Sequence, residues 1–109
     1  MSRRTVKNEL TIIYWRDIPA QVTARSGGDK VTIELPRRFQ AAIDRAAKVA
    51  GKEKYDEYIG EWRRETSTCS DDLQASVDAE AARLGELFPR DRLVEFVDNG
   101  GINPTKESE

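Results

Sequence analysis

The chain has 109 residues, room for one domain with a small core and not for a second. Apolar residues make up 38 % and charged residues 35 %, a polar balance without the low-complexity runs of a disordered chain. Lys and Arg total 18 against 20 for Asp and Glu, a formal charge of -2, so no overall positive field draws the chain to nucleic acid or anionic lipid.

Residues 1–9 are basic and polar, with no signal-peptide hydrophobic stretch, which points to a cytoplasmic protein with a flexible amino terminus. No apolar run approaches the ~20 residues needed to span a bilayer. A single domain is expected over residues 10–100, followed by a disordered tail over 101–109. From Leu10 to Leu35 the residues are β-branched and aromatic and broken by turn formers, which predicts three strands, over 10–18, 20–25 and 30–35. "SGGD" at 26–29 suits the hairpin between the last two. Val31, Ile33 and Leu35 alternate with Lys30, Thr32 and Glu34, as a sheet with one wet face requires. In the first strand Leu10, Ile12 and Tyr14 share one face and Ile13 and Trp15 the other, so cover on both faces is expected. Pro19 lacks an N–H for the ladder, which predicts a turn or bulge there.

At "LPRRFQAAIDRAAKVAG" the period changes. Pro36 suits a first helical turn, Phe39, Ala42, Ile43, Ala46, Val49 and Ala50 recur at helical spacing, and Gly51 supplies the stop. Arg37, Arg38, Asp44, Arg45 and Lys48 are left for water or a partner. Tyr55, Tyr58, Ile59 and Trp62 stand at i, i+3, i+4 and i+7 and predict a second, aromatic-faced helix. A short strand is expected over 63–68, then a helix capped by Ser70 or Asp71 with Leu73, Val77, Ala81, Leu84 and Phe88 inward. A last helix carries Leu93, Val94, Phe96 and Val97 and stops at "DNGG". Strands first and helices after give an α+β fold, β-β-β-α-α-(β)-α-α, with an antiparallel sheet of three to four strands against three to four helices.

The chain has no histidine, hence no imidazole base or metal ligand and no triad of the usual kind. One cysteine, Cys69, allows no thiolate zinc site, and Asp71 and Asp72 beside it oppose a reactive thiolate. No catalytic residue, metal or cofactor is therefore expected. Basic and aromatic residues remain: Trp15, Arg16, Asp17, Arg37, Arg38, Tyr58 and Trp62 are the candidate surface for a partner or ligand. Three accounts stand open. The tryptophans are core and each arginine covers a ring or pairs with Asp17, Asp44 or Asp56; or the cluster is a protein interface; or it holds single-stranded nucleic acid or a small anion clamped by Arg16 and oriented by Asp17.

Over residues 10–64, "TIIYWRDIPAQVTAR", "VTIELPRRFQAAIDRAA" and "YDEYIGEWRR" together make the chain resemble the small bacterial virulence factor domain family, which also resembles the amino-terminal part of the longer conserved virulence factor C proteins. The matching positions are Trp15, Arg16, Asp17, Ile18, Pro19, Gln21, Phe39, Ile43, Asp44, Tyr58 and Trp62. The resemblance implies no catalytic residue or cofactor. Free-standing relatives encoded beside methylenetetrahydrofolate reductase and cobalamin-dependent methyltransferase components imply a non-catalytic accessory role in one-carbon metabolism, with one of those enzymes as partner.

Overall fold

A computed structural model describes residues 8–105. The element order is β1 (Glu9–Trp15), β2 (Ile18–Ser26), β3 (Asp29–Glu34), α1 (Arg37–Ala50), α2 (Tyr55–Ile59), β4 (Trp62–Thr68), α3 (Leu73–Leu87) and α4 (Arg90–Asp98). The fold is α+β: one antiparallel sheet, ordered β3-β2-β1-β4, with four helices.

The β1 alternation places Leu10 and Ile12 beside Ala24 and Val22 of β2. All four are buried in the core that takes in Leu73, Val77 and Leu84 of α3. Ile13 and Trp15 point to the opposite face, and Trp15 is fully buried there. α1 buries Phe39, Ala42, Ile43, Ala46 and Ala47 and ends at Gly51, whose φ of 71° suits a residue without Cβ. Val49, placed inward by its spacing, is exposed, and Ala47 takes the buried position in its stead.

The chain turns earlier than Pro19 suggests. β1 and β2 are joined by Arg16 and Asp17 alone, with Arg16 at φ 55°, the sign required at the first central position of a tight primed hairpin. Pro19 instead lies inside β2 opposite Tyr14, where the register shifts between Ile13 and Tyr14; this bulge accommodates its missing donor. The second helix is also shorter than its aromatic spacing indicates. It closes at Ile59, leaving Tyr55 and Ile59 exposed, while Trp62 opens β4 and pairs with Trp15.

Asp72, rather than Ser70 or Asp71, caps α3, accepting a hydrogen bond from the Ala75 N–H at 3.0 Å. Asp72→Ala should therefore cost about 1 kcal/mol in urea denaturation. A loss below about 0.3 kcal/mol would show the cap to be idle.

Packed structure continues past residue 100: Gly100 and Gly101 are buried and the Asn103 N–H donates to Asp17 Oδ2 at 2.7 Å. The flexible segment expected at the amino terminus lies outside the described residues over 1–7, whereas Glu9 is already in β1. Of the tail, residues 106–109 lie outside them.

Candidate functional site

Two separate groupings hold the residues singled out from the sequence. The first surrounds the β1–β2 turn. Trp15 donates from Nε1 to the Tyr58 carbonyl at 2.8 Å and stacks on the Tyr58 ring, centroids 5.6 Å apart at 29°. Tyr58 in turn meets Trp62 edge-on, at 5.9 Å and 83°. α2 thus presents one aromatic ring and one carbonyl to a tryptophan that has no exposure at all.

Arg16 reaches the carboxyl-terminal segment, donating from Nη1 to the Gly100 carbonyl at 3.0 Å. Its Nε lies 3.2 Å from Glu61 Oε1, close enough to pair by charge but not aligned as a hydrogen bond. Its backbone N–H donates to the Glu61 carbonyl at 3.0 Å, so the turn is stitched to the start of β4 by main chain as well.

Asp17 closes the same turn. Its Oδ1 accepts from Arg63 Nη2 at 2.9 Å, and its N–H donates to the Gly101 carbonyl at 2.9 Å. Arg63 donates from Nε to the Arg16 carbonyl at 2.7 Å, pairs with Glu65 at 2.5 Å, and lies over the Tyr14 ring at 4.4 Å. Burial works against its charge, but the bonds to Glu65 and Asp17 outweigh that and hold the guanidinium above its ordinary pKa. Tyr14 is raised as well, chiefly by burial and then by the nearby Glu65 carboxylate.

Trp15, Arg16, Asp17, Tyr58 and Trp62 therefore converge, and the geometry gives them a packing task. Ring stacking, carbonyl acceptance and the Asp17–Arg63 pair join the hairpin to α2, β4 and the carboxyl-terminal segment. Arg63, a basic residue close in sequence to Trp62 but outside the candidate surface named from the sequence, completes this cluster. Its signal was present in the alternation of β4, which puts Arg63 on the Tyr14 side of the strand.

Arg37 and Arg38 stand elsewhere, on α1. Arg38 is held by the end of α3, donating to the Gly85 and Phe88 carbonyls at 2.9 and 3.2 Å, a favourable place for a cation at a helix carboxyl terminus. It also lies over the Phe39 ring at 4.9 Å. Arg37 and Arg38 border a groove of about 410 Å³ between α1 and α4, completed by Arg45 and Arg90 and lined by apolar residues including Leu93 and half-exposed Val94. The side chains of Arg37, Arg45 and Arg90 make no hydrogen bond or ion pair among the described residues. Arg90 is absent from the sequence reading and Val94 enters it only as an apolar residue of the last helix, because what joins them to Arg37 and Arg45 is the packing of α4 on α1.

Cys69 is half-buried after β4, its N–H donating to the Asn8 carbonyl at 3.2 Å. Among the described residues no group of three or more carboxylate or cysteine side chains is placed to hold a metal ion, and no helix is long and apolar enough to cross a membrane.

A family model described as virulence factor matches residues 13–97, well beyond the stretch that carries the resemblance by eye. No curated protein and no solved structure matches the chain.

Proposed function

The chain belongs to the virulence factor family, and on that premise we propose that it is a non-catalytic accessory domain that docks onto another protein through the arginine-lined groove between α1 and α4. The observation that carries this reading is the set of three arginines without carboxylate partners around an apolar floor. An exposed apolar strip with one sign of charge at its rim suits an acidic amphipathic segment, whose apolar side chains cover Leu93 and Val94 while its carboxylates meet Arg37, Arg45 and Arg90. Arg16 and Asp17 are already satisfied internally, which moves the proposed contact from the Trp-Arg-Asp turn to α1 and α4.

The partner class we propose is a cytoplasmic enzyme of folate- or corrinoid-dependent methyl transfer, methylenetetrahydrofolate reductase or a corrinoid methyltransferase component. Support for that choice comes from the relatives' genomic company, and support for the surface from its charge. Calorimetric titration of the purified chain against each enzyme is the test. Binding should weaken with salt, and combined Arg37→Glu, Arg45→Glu and Arg90→Glu substitution should weaken it at least about thirtyfold, since close charge pairs at an interface are each worth a kcal/mol or more. All three side chains are exposed, so circular dichroism should be unchanged. Absence of binding to both enzymes, or binding indifferent to the three reversals, would overturn the reading.

A small anionic ligand in the same groove is the second reading, favoured by the same three arginines. Thermal-shift screening against folates, corrinoids and nucleotides separates the two, because a small ligand raises the melting temperature without a second protein. Single-stranded nucleic acid ranks third, since the net charge is negative.

A further inference from the structure

Gln40 of α1 and Trp62 of β4 flank the sheet on the side away from α3, and with Ile13, Gln21 and Glu34 they bound a second pocket of about 300 Å³. It shares no residue with the α1–α4 groove. Strand pairing sets Ile13, Gln21 and Glu34 side by side across β1, β2 and β3. At about 4.8 Å between strands, this floor runs roughly 10 Å from an apolar end to a carboxylate. Leu35 is buried at its side, and Trp62, held edge-on to Tyr58, supplies an aromatic wall. The volume is at the low end for small-molecule sites and suits one bicyclic ring system.

The polar groups of this pocket are available to a ligand. The side chains of Gln21 and Glu34 and the indole N–H of Trp62 make no hydrogen bond or ion pair among the described residues. Gln40 Nε2 donates to Asp44 Oδ1 at 2.9 Å and to the Tyr58 hydroxyl at 3.3 Å, which commits both of its protons and leaves Oε1 as an acceptor. The pocket thus offers a carboxylate and an amide oxygen that only accept, an indole that only donates, and the Gln21 amide, which does both. Two carboxylate oxygens side by side take two parallel N–H donors at once, and such charge-assisted pairs are the strong ones.

We propose that this pocket binds a fused heteroaromatic ring with a 2-amino-4-oxopyrimidine edge, the edge that guanine and pterins share. The amine and the neighbouring ring N–H meet the two oxygens of Glu34, the carbonyl accepts from the Gln21 amide, and the ring packs against Trp62 over Ile13. Other bases fit this set of groups less well. Adenine and cytosine carry a ring acceptor beside the amine, which sets a lone pair against the carboxylate, and uracil flanks its single N–H with two carbonyls. A guanidinium matches Glu34 but brings no acceptor for Gln21 or the Trp62 N–H. Because the two sites have no residue in common, ligand binding here and partner docking at the groove stand or fall separately.

Nitrogen–proton correlation NMR of the full chain, titrated with uncharged guanosine and with pterin, tests this. Either probe should shift the Trp62 indole N–H and the Gln21 side-chain amide and leave the backbone amides of Val94 and Val97 in place; the tighter of the two names the source of the ring. Inosine lacks the amine and lumazine has a carbonyl in its place, so each should bind at least about tenfold more weakly than its amino counterpart. Glu34→Gln keeps the side chain's size at an exposed position, and the same spectra report an intact fold. It should weaken the amino ligand at least about tenfold and bring the amino and deaminated ligands to within about threefold of each other. No shift at Trp62 and Gln21 with either guanosine or pterin overturns the proposal, as does an amine worth nothing or a Glu34→Gln variant that binds like wild type. Adenosine or methylguanidinium binding there as tightly overturns it too, since the pocket would then read only a flat ring or a cation.

Discussion

Trp15→Ala should destabilise the domain by about 4 kcal/mol, as large aromatic truncations in a closed core do. The side chain is wholly buried, so its loss leaves a cavity that a two-residue turn and a sheet strand cannot collapse to fill. It also takes the Nε1 donor from the Tyr58 carbonyl, which keeps a backbone N–H from Glu61, and leaves the Tyr58 ring without its stacking partner. Domains of this size are held by only about 5–15 kcal/mol, so the variant should have its urea midpoint sharply lowered. Trp15→Phe keeps a smaller aromatic ring and removes the Nε1 donor with part of the buried volume, at an expected cost of about 2 kcal/mol, between wild type and Trp15→Ala. Urea titration followed by circular dichroism measures both. If Trp15→Ala cost less than about 1.5 kcal/mol, the tryptophan would not be the anchor described, and its burial would have to be compensated by repacking.

The second large effect is expected at Gly101, where Ala should cost about 2–4 kcal/mol. Gly101 sits at φ 92°, and a Cβ built there would lie 2.9 Å from Cζ3 and 3.2 Å from Cε3 of Trp15, with the Ala46 Cβ at 3.4 Å. The indole is held in place, since its ring is stacked on Tyr58 and its nitrogen is bonded. Gly51→Ala supplies the control, having a positive φ of 71° but nothing within 4 Å of the new methyl. It should show only the backbone strain, about 1 kcal/mol. A double-mutant cycle with Trp15→Phe sharpens the point: the smaller ring relieves the clash, and the two changes together should cost less than their sum. Equal costs at Gly51 and Gly101, or strict additivity in the cycle, would contradict the close approach.

These effects bear on how the hairpin works. A tight turn of arginine and aspartate lacks the Asn-Gly or Gly-rich pair that makes such turns stable by themselves, and Arg16 is held at positive φ. Its stability is supplied from outside, by Glu61, Gly100, Gly101, Asn103 and Arg63, all more than forty residues away in the chain. The same residues that looked like a binding motif are the ones that need such anchoring, because Arg16 and Asp17 carry the polar groups through which the turn is tied down.

What could be read along the chain was whatever depends on near neighbours. The β3 alternation, the α1 period with its Gly51 stop, and the strand character of Arg63 to Thr68 came from local spacing, and with them the α+β order. Side-chain period follows from backbone geometry within a few residues, so it is written in the sequence. Family membership was likewise legible from three short stretches.

Tertiary structure decided the rest. Tyr55, Tyr58, Ile59 and Trp62 satisfy a helical period, yet pairing with Trp15 draws Trp62 into the sheet, and only Tyr58 is enclosed by aromatic neighbours. Arg16, Arg37 and Arg38 are alike as exposed-type residues in the sequence, yet Arg16 and Arg38 find backbone carbonyls, whereas Arg37 finds no partner among the described residues and joins Arg45 and Arg90 at a groove. Which charge meets which partner depends on contacts between residues 45 or more apart, and such contacts leave no periodic trace. The Trp-Arg-Asp motif could be recognised from the sequence alone; that it serves to lock a turn was fixed by the carboxyl-terminal glycines and Arg63 arriving beside it.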